Sequence, residues 1–158
     1  MIRAGTIDDL PALETLWGAL HAHHAALASE VAPVRELSVS WSRRLARYEE
    51  WLGGDDAELL VAEEEDVLVG YAMLRVVAGP ASWDIGDRTA ELETLSVLPS
   101  ARGSGVGAQL VEAARERAIA RGAKAFLVAV AHANEGAIRF YEREGFKPFY
   151  ELLWQPLG

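Results

Sequence analysis

The chain contains no cysteine, which excludes a disulfide framework, a thiolate metal site and a cysteine nucleophile. Lysine is nearly absent as well: Lys124 and Lys147 are the only two, so arginine carries most of the positive charge. Asp and Glu outnumber Lys and Arg by 24 to 15, for a formal charge of -9. General nucleic-acid or anionic-membrane binders need a basic footprint, which this balance denies. No apolar run approaches the roughly 18 residues of a membrane span. Met1–Thr6 also lacks the long apolar core of a signal peptide, and the expected location is the cytoplasm. What remains is ordinary for a folded protein: 158 residues, 51% hydrophobic, with no linker, charge block or repeat. One domain over residues 1–158 is the expectation.

Periodicity orders the elements. A short strand at Ile2–Ala4 precedes Thr6-Ile7-Asp8-Asp9, where Thr6 or Asp8 can cap a helix. Leu10, Leu13, Leu16, Trp17, Leu20 and His24 recur at helical spacing. Ser40–Leu52 reads as a second helix, with Trp41, Leu45, Tyr48 and Trp51 along one stripe. Strands are predicted at Glu58–Glu63, Val67–Val77 and Arg88–Leu98. Gly103–Gly122 then reads as a helix and Ala125–Val130 as a strand covered on both faces. Asn134 caps a helix running to Glu144, Gly145 sits where a left-handed residue ends it, and Phe149–Trp154 is predicted as a last strand. The order describes an α/β mixture with an antiparallel first half and a strand–helix–strand crossover in the second.

Three alternating glycines mark the segment Arg102-Gly103-Ser104-Gly105-Val106-Gly107, just after a strand and just before an amphipathic helix. Glycine there lets backbone amides approach an anion, and a helix N-terminus adds unpaired donors and positive potential. A diphosphate suits such a cradle. No Lys-Ser/Thr follows the glycines, as a P-loop would need, and no acidic residue stands where a dinucleotide fold places one.

These residues resemble the acetyl-CoA signature Arg/Gln-x-x-Gly-x-Gly/Ala of the GNAT superfamily of N-acetyltransferases. Leu95-Ser96-Val97-Leu98-Pro99 resembles that family's fourth strand. Asn134-Glu135-Gly136-Ala137-Ile138-Arg139-Phe140-Tyr141-Glu142-Arg143-Glu144-Gly145-Phe146 resembles its second signature, about 30 residues downstream. The match is clear from Glu91 to Phe146. The fold implied is a twisted, mostly antiparallel sheet with splayed parallel central strands, flanked by helices.

The resemblance also implies roles. Backbone amides of Arg102, Gly103, Ser104, Gly105, Val106, Gly107 and Ala108 would hold the diphosphate of acetyl-CoA, the cosubstrate. Leu95, Ser96 and Val97 would line the pantetheine arm as a strand edge, with the Leu95 N–H polarising the thioester carbonyl. Asn134 would contact pantetheine or a bound water, cap its helix, or do both. Tyr141 would act as general acid, since a tyrosine near pKa 10 can protonate a thiolate whose thiol lies near 8.5. The activity implied is acetyl transfer to a primary amine by direct attack in a ternary complex. The acidic excess of the chain and the pair Glu91 and Glu93 point to a cationic small molecule or peptide as that amine. The alternatives are a catalytically silent CoA-binding module and a nucleotide-phosphate binder using the same loop. Dimers are common in the family, so a homodimer is compatible with it.

The strand Glu91-Leu92-Glu93-Thr94-Leu95-Ser96-Val97 carries a signal of its own. Leu92 occupies the even positions and Leu95 and Val97 the odd ones, which requires an extra residue, so a β-bulge is predicted near Glu93–Leu95. Glu91 and Glu93 share the face opposite Leu92. Either is a candidate general base, because repulsion between paired carboxylates raises the pKa of one, and the pair could also bind the substrate ammonium without taking its proton. His21, His23 and His24 lie on the first helix; His21 and His24 share a face, but no third ligand accompanies them, and no metal is expected. Trp17, Trp41, Trp51 and Trp83 can line a pocket or pack, with packing the expectation for most; Trp83-Asp84 is also placed to contact the acceptor.

Overall fold

The computed structural model describes residues 1–158. Five strands form one sheet in the order β1-β2-β3-β4-β5: Ile2–Ala4, Ala57–Glu64, Val67–Ala78, Arg88–Val97 and Ala125–Val128. The first four pair antiparallel, and β4 with β5 parallel. Helices α1 (Glu14–Ala26) and α2 (Leu37–Leu52) cover one face, α3 (Val106–Ala120) covers the other, and α4 (Glu135–Arg143) follows β5. No helix is long and apolar enough to cross a membrane.

Both faces are buried because the middles of the two central strands, Leu59–Ala62 of β2 and Leu68–Leu74 of β3, carry no charged residue. Leu59 and Val61 of β2, with Tyr71 and Met73 of β3, pack on Leu10, Leu13, Leu16, Trp41 and Tyr48. The intervening Leu60, Ala62 and Ala72 pack on Leu110, Val111 and Ala114 of α3. Side chains alternate along a strand, so one continuous apolar run serves two cores.

Local chemistry moves several boundaries. Thr6 caps the first turn, and Asp9 Oδ2 accepts from the Thr6 N–H at 2.8 Å. Pro11 keeps Ile7–Leu13 in a 3₁₀ turn, so α1 begins only at Glu14. Helix α2 starts at Leu37, three residues before the predicted Ser40. Helix α3 starts at Val106 rather than Gly103, because Gly103 and Gly105 have φ of +81° and +88°, outside the helical region. Strand β5 ends at Val128, two residues short of the predicted Val130.

The final strand predicted at Phe149–Trp154 does not form: residues 144–158 contain no helix or strand. Pro148 and Pro156 flank the run, and Leu152-Leu153-Trp154 breaks its alternation, so neither the donors nor the pattern of a strand are supplied. The tail instead exposes Tyr150, Leu152, Leu153 and Leu157, and Trp154 Nε1 donates to the Val31 carbonyl at 3.0 Å.

Candidate active site

The predicted bulge is present. Met73 pairs with Thr94 and the next residue, Leu74, with Leu92, which leaves Glu93 with no partner on β3. Ala90 and Leu92 therefore face α3 before the bulge, as Leu95 and Val97 do after it. Parallel pairing with β5 stops at the same point, its last pair being Leu92 with Val128. Beyond it β4 continues alone to Val97, so the two strands diverge and expose the β4 edge at Leu95–Val97. Beneath the bulge, the Tyr48 hydroxyl hydrogen-bonds both Thr94 Oγ1 and, at 3.0 Å, the Tyr71 hydroxyl. Ser96 Oγ donates to the Leu16 carbonyl at 2.8 Å. These buried bonds pin the bulge to the helical layer.

Glu91 and Glu93 lie on one face, as their spacing requires, but in different surroundings. Arg75 Nη1 donates to Glu93 Oε1 at 3.2 Å, and the Arg75 guanidinium stacks 4.7 Å from the centre of the Trp51 ring. Burial, together with the hydrogen bond and charge of Glu93, pushes the Glu91 carboxyl up, against the opposing pull of Arg75. Glu93 lines one of the two cavities that meet at Tyr141; Glu91 lines neither.

In the glycine loop, the first bond of α3 runs from the Gln109 N–H to the Gly105 carbonyl at 3.0 Å. The Arg102 N–H, expected with the others, is taken by the Pro99 carbonyl at 3.3 Å, but the amides of Gly103 through Ala108 are left without a partner in the chain, and no side chain caps the helix. Arg102 Nε donates to the Val97 carbonyl at 3.2 Å and Ser104 Oγ to the Ala101 carbonyl, which ties the loop to β4. Gly107 lies against Phe140: a Cβ there would sit 3.4 Å from the ring. Consecutive unpaired amides beside a diverging strand pair fit the diphosphate and pantetheine of CoA.

The second motif folds into a clamp around Tyr141. Asn134 Oδ1 accepts the Ala137 N–H at 3.2 Å, so Asn134 is the helix cap, and it also accepts from His23 Nε2 at 3.2 Å. At the other end Gly145 has φ +95°, its N–H donates to the Glu142 carbonyl at 3.1 Å, and the Phe146 N–H donates to the Tyr141 carbonyl at 2.9 Å. This is the Schellman ending, with its usual apolar contact supplied by the Phe146 ring 5.5 Å from Tyr141. The paired Gly145-Phe146 therefore fixes both backbone and ring of Tyr141. Burial pushes the Tyr141 hydroxyl up to about 12, above the ordinary value assumed from sequence. A thiolate forming in the same cavity is destabilised by the same burial, so acid and leaving group shift together.

Two cavities meet here. One, of about 580 Å³, is lined by Leu95–Val97, the glycine loop and Phe140. The other, of about 350 Å³, is lined by Glu93, His24, the loop Val31–Val34 and residues 128–131. Leu20, Leu95, Asn134, Ala137 and Tyr141 line both. All of the sequence-derived site residues except Glu91, Ser104 and Val106 line one cavity or the other. The three histidines separate: His21 Nε2 donates to the Arg35 carbonyl at 2.6 Å, His23 reaches Asn134, and His24 faces the smaller cavity. Trp41 is buried, Trp17 and Trp51 pack beside it, and Trp83 rests edge-on against Phe149; none of the four lines either of these two cavities. Sequence reading missed Arg75 and Tyr48, whose roles depend on partners across the sheet, whereas the resemblance puts the His21–His24 stretch of the first helix on the substrate side, where His24 lies. The apolar loop Val31-Ala32-Pro33-Val34 was a usable signal, since exposed loops are rarely so apolar.

The acetyltransferase (GNAT) family model matches residues 25–146. The chain belongs to the acetyltransferase (GNAT) family. An uncharacterized N-acetyltransferase of Mycobacterium tuberculosis is 35% identical over 102 residues, which is 65% of this chain and 60% of that one. The chain thus spans about 60% of the length of that relative. Among solved structures, a mutant of the BH1408 protein of Bacillus halodurans superposes with TM-score 0.82 at 23% identity, covering 99% of each chain. An aminoglycoside N-acetyltransferase in complex with CoA superposes with TM-score 0.74 at 19% identity, covering 99% of this chain and 98% of that one. At such identities these two likenesses speak for the GNAT fold, which the five-stranded mixed sheet and its flanking helices display.

Proposed function

We propose that this GNAT domain transfers an acetyl group from acetyl-CoA to a primary amine by direct attack in a ternary complex. The observation that carries the reading is the junction of the two cavities at Leu95, Asn134 and Tyr141, which brings a strand edge, an amide side chain and a phenol to one place. An aminoglycoside N-acetyltransferase of the same fold holds CoA, which supports the assignment of the larger cavity.

The amides of Gly103 through Ala108 bind the diphosphate, and the free edge at Leu95–Val97 receives the pantetheine. Bound acetyl-CoA supplies the activated acyl carbonyl. The Leu95 N–H donates to its oxygen, where charge builds in the transition state. Glu93, oriented by Arg75, takes the proton of the incoming ammonium, directly or through water, and Tyr141 gives its proton to the departing sulfur. Glu93 is preferred over Glu91 as base because it alone faces the cavity where an amine would sit. Without a cysteine the chain has no thiol to form a thioester with the acetyl group, and holding both reactants together is the remaining source of rate. The test is thiol release from acetyl-CoA with a panel of amines, for the native chain and Tyr141→Phe. Release that depends on an amine and collapses in the variant is expected; CoA binding without turnover on any amine would leave a silent CoA-binding module.

We place the homodimer that the family allows at the apolar tail, whose Leu152 and Leu153 are 91% and 85% exposed in the single chain. Sedimentation of the native chain and of a Leu152→Asp, Leu153→Asp variant tests this: loss of a dimer in the variant is the expected result.

A further inference from the structure

The smaller cavity has a chemical character that its position alone does not convey. Thirteen of its eighteen lining residues are hydrophobic, with Leu20, Leu27, Val31, Val34 and Val128 forming most of the wall. Glu93 is its one acidic residue, and no lysine or arginine lines it. That carboxylate is already half engaged, with Arg75 at 3.2 Å on its far side. His24, which also faces the cavity, is held below its usual pKa by burial and by the neighbouring charges of His23 and His21, so at neutral pH it adds no charge.

The wall is also fixed in place. His21 Nε2 holds the loop 31–36 through the Arg35 carbonyl at 2.6 Å, and Trp154 Nε1 holds it through the Val31 carbonyl at 3.0 Å. Pro33 restricts it further. At about 350 Å³ the space lies at the small end of ligand cavities.

We infer that the acceptor is a primary amine with a single positive charge carried on an apolar body. This rests on the transferase reading above and narrows it. One carboxylate balances one ammonium, while the rest of the molecule gains by leaving water for the leucines and valines. A polyamine or an aminoglycoside would bring further ammonium groups against Val31, Val34 and Val128, where nothing replaces their hydration. The excess of acid over base in the whole chain therefore says little about the acceptor; the residues lining this cavity decide it.

The test measures thiol release from acetyl-CoA by the full chain with a series of straight-chain primary amines, phenethylamine, a tripeptide beginning with leucine, spermidine and neamine. Each added methylene is expected to raise kcat/KM about fourfold, equivalent to about 0.8 kcal/mol per buried CH₂, until the cavity is full. The apolar amines are expected to exceed spermidine and neamine by at least about tenfold. The tripeptide and the free amines separate the two sources of the same chemistry, a peptide terminus and a small metabolite. Val34→Asp, at a partly exposed loop position that the fold does not depend on, is expected to lower kcat/KM for hexylamine about tenfold and to improve 1,6-diaminohexane, with the KM for acetyl-CoA unchanged. A flat methylene series, or a preference for spermidine or neamine with thiol release intact, overturns this inference and leaves the transferase reading standing. No thiol release with any amine overturns that reading instead. Calorimetry on the CoA-loaded chain then still decides the cavity's preference: hexylamine binding with negative ΔCp supports it, and tighter spermidine binding refutes it.

Discussion

The two cavities meet at Tyr141 but are built by different means. The larger is walled mainly by backbone: unpaired amides of a glycine loop and the free edge of β4. The smaller is walled by side chains from α1, the following loop, β4 and the end of β5, far apart in sequence. A wall of amides constrains the sequence tightly, since glycine is favoured where φ is positive, as at Gly103 and Gly105. A wall of side chains constrains only bulk and polarity. The coenzyme side of the domain is therefore written as a motif, and the acceptor side is free to differ from one relative to the next.

Tyr141 belongs to both cavities, so its loss should show the largest effect. Tyr141→Phe is expected to lower kcat by roughly 10²- to 10⁴-fold, the usual worth of a general acid, with little change in CoA affinity. Because burial holds the hydroxyl near 12, the tyrosine stays protonated throughout the working range. The loss should accordingly be the same at every pH from about 6 to 10. A deficit that shrinks toward either end of that range would give the protonating role to another group.

A change confined to the backbone wall comes next. Gly105→Val puts a branched Cβ at φ +88° and distorts the amide cradle, although the space around that Cβ is open. Losing two amide bonds to charged oxygens, at about 1.5–3 kcal/mol each, weakens CoA binding by about 100-fold or more, measured by calorimetry. Unchanged affinity would mean that the diphosphate lies elsewhere. On the side-chain wall, Glu93→Gln is expected to reduce kcat/KM for the amine by roughly 10- to 100-fold, at the low end for a general base because water can share the proton. The KM for acetyl-CoA should stay constant, as Glu93 does not line the larger cavity. If both constants moved together, the two walls would not be separable.

The contrast also explains how far the sequence could be read. Strand β4 was legible down to its bulge, because the phase change between Leu92 and Leu95 leaves no other solution. The clamp on Tyr141 was legible as a glycine cap, though not as a Schellman contact with Phe146, which only the folded chain displays. Arg75 and Tyr48 were invisible for one reason: each acts on a group 18 or more residues away, across the sheet. The failed strand at Phe149–Trp154 shows the converse. A β-prone composition between two prolines joined no strand, and the tail settled against Val31 and Trp83 instead.

The smallest expected effect separates the two glutamates. Glu91 lines neither cavity, yet its carboxyl is pushed up by burial and by Glu93. A raised carboxyl binds more protons in the folded state than in the unfolded one, so its contribution to stability is fully present below the ordinary Glu pKa and is lost as pH rises through the folded value. Glu91→Gln removes that loss. The variant is expected to melt about 1 °C above the native chain at neutral pH, with the gain vanishing as pH falls below about 4. Its kcat should remain within about twofold of native, in contrast to Glu93→Gln. A large rate loss at Glu91 with no change in the pH dependence of melting would reverse the two assignments, and the face shared by both carboxylates would then have to be open to the amine.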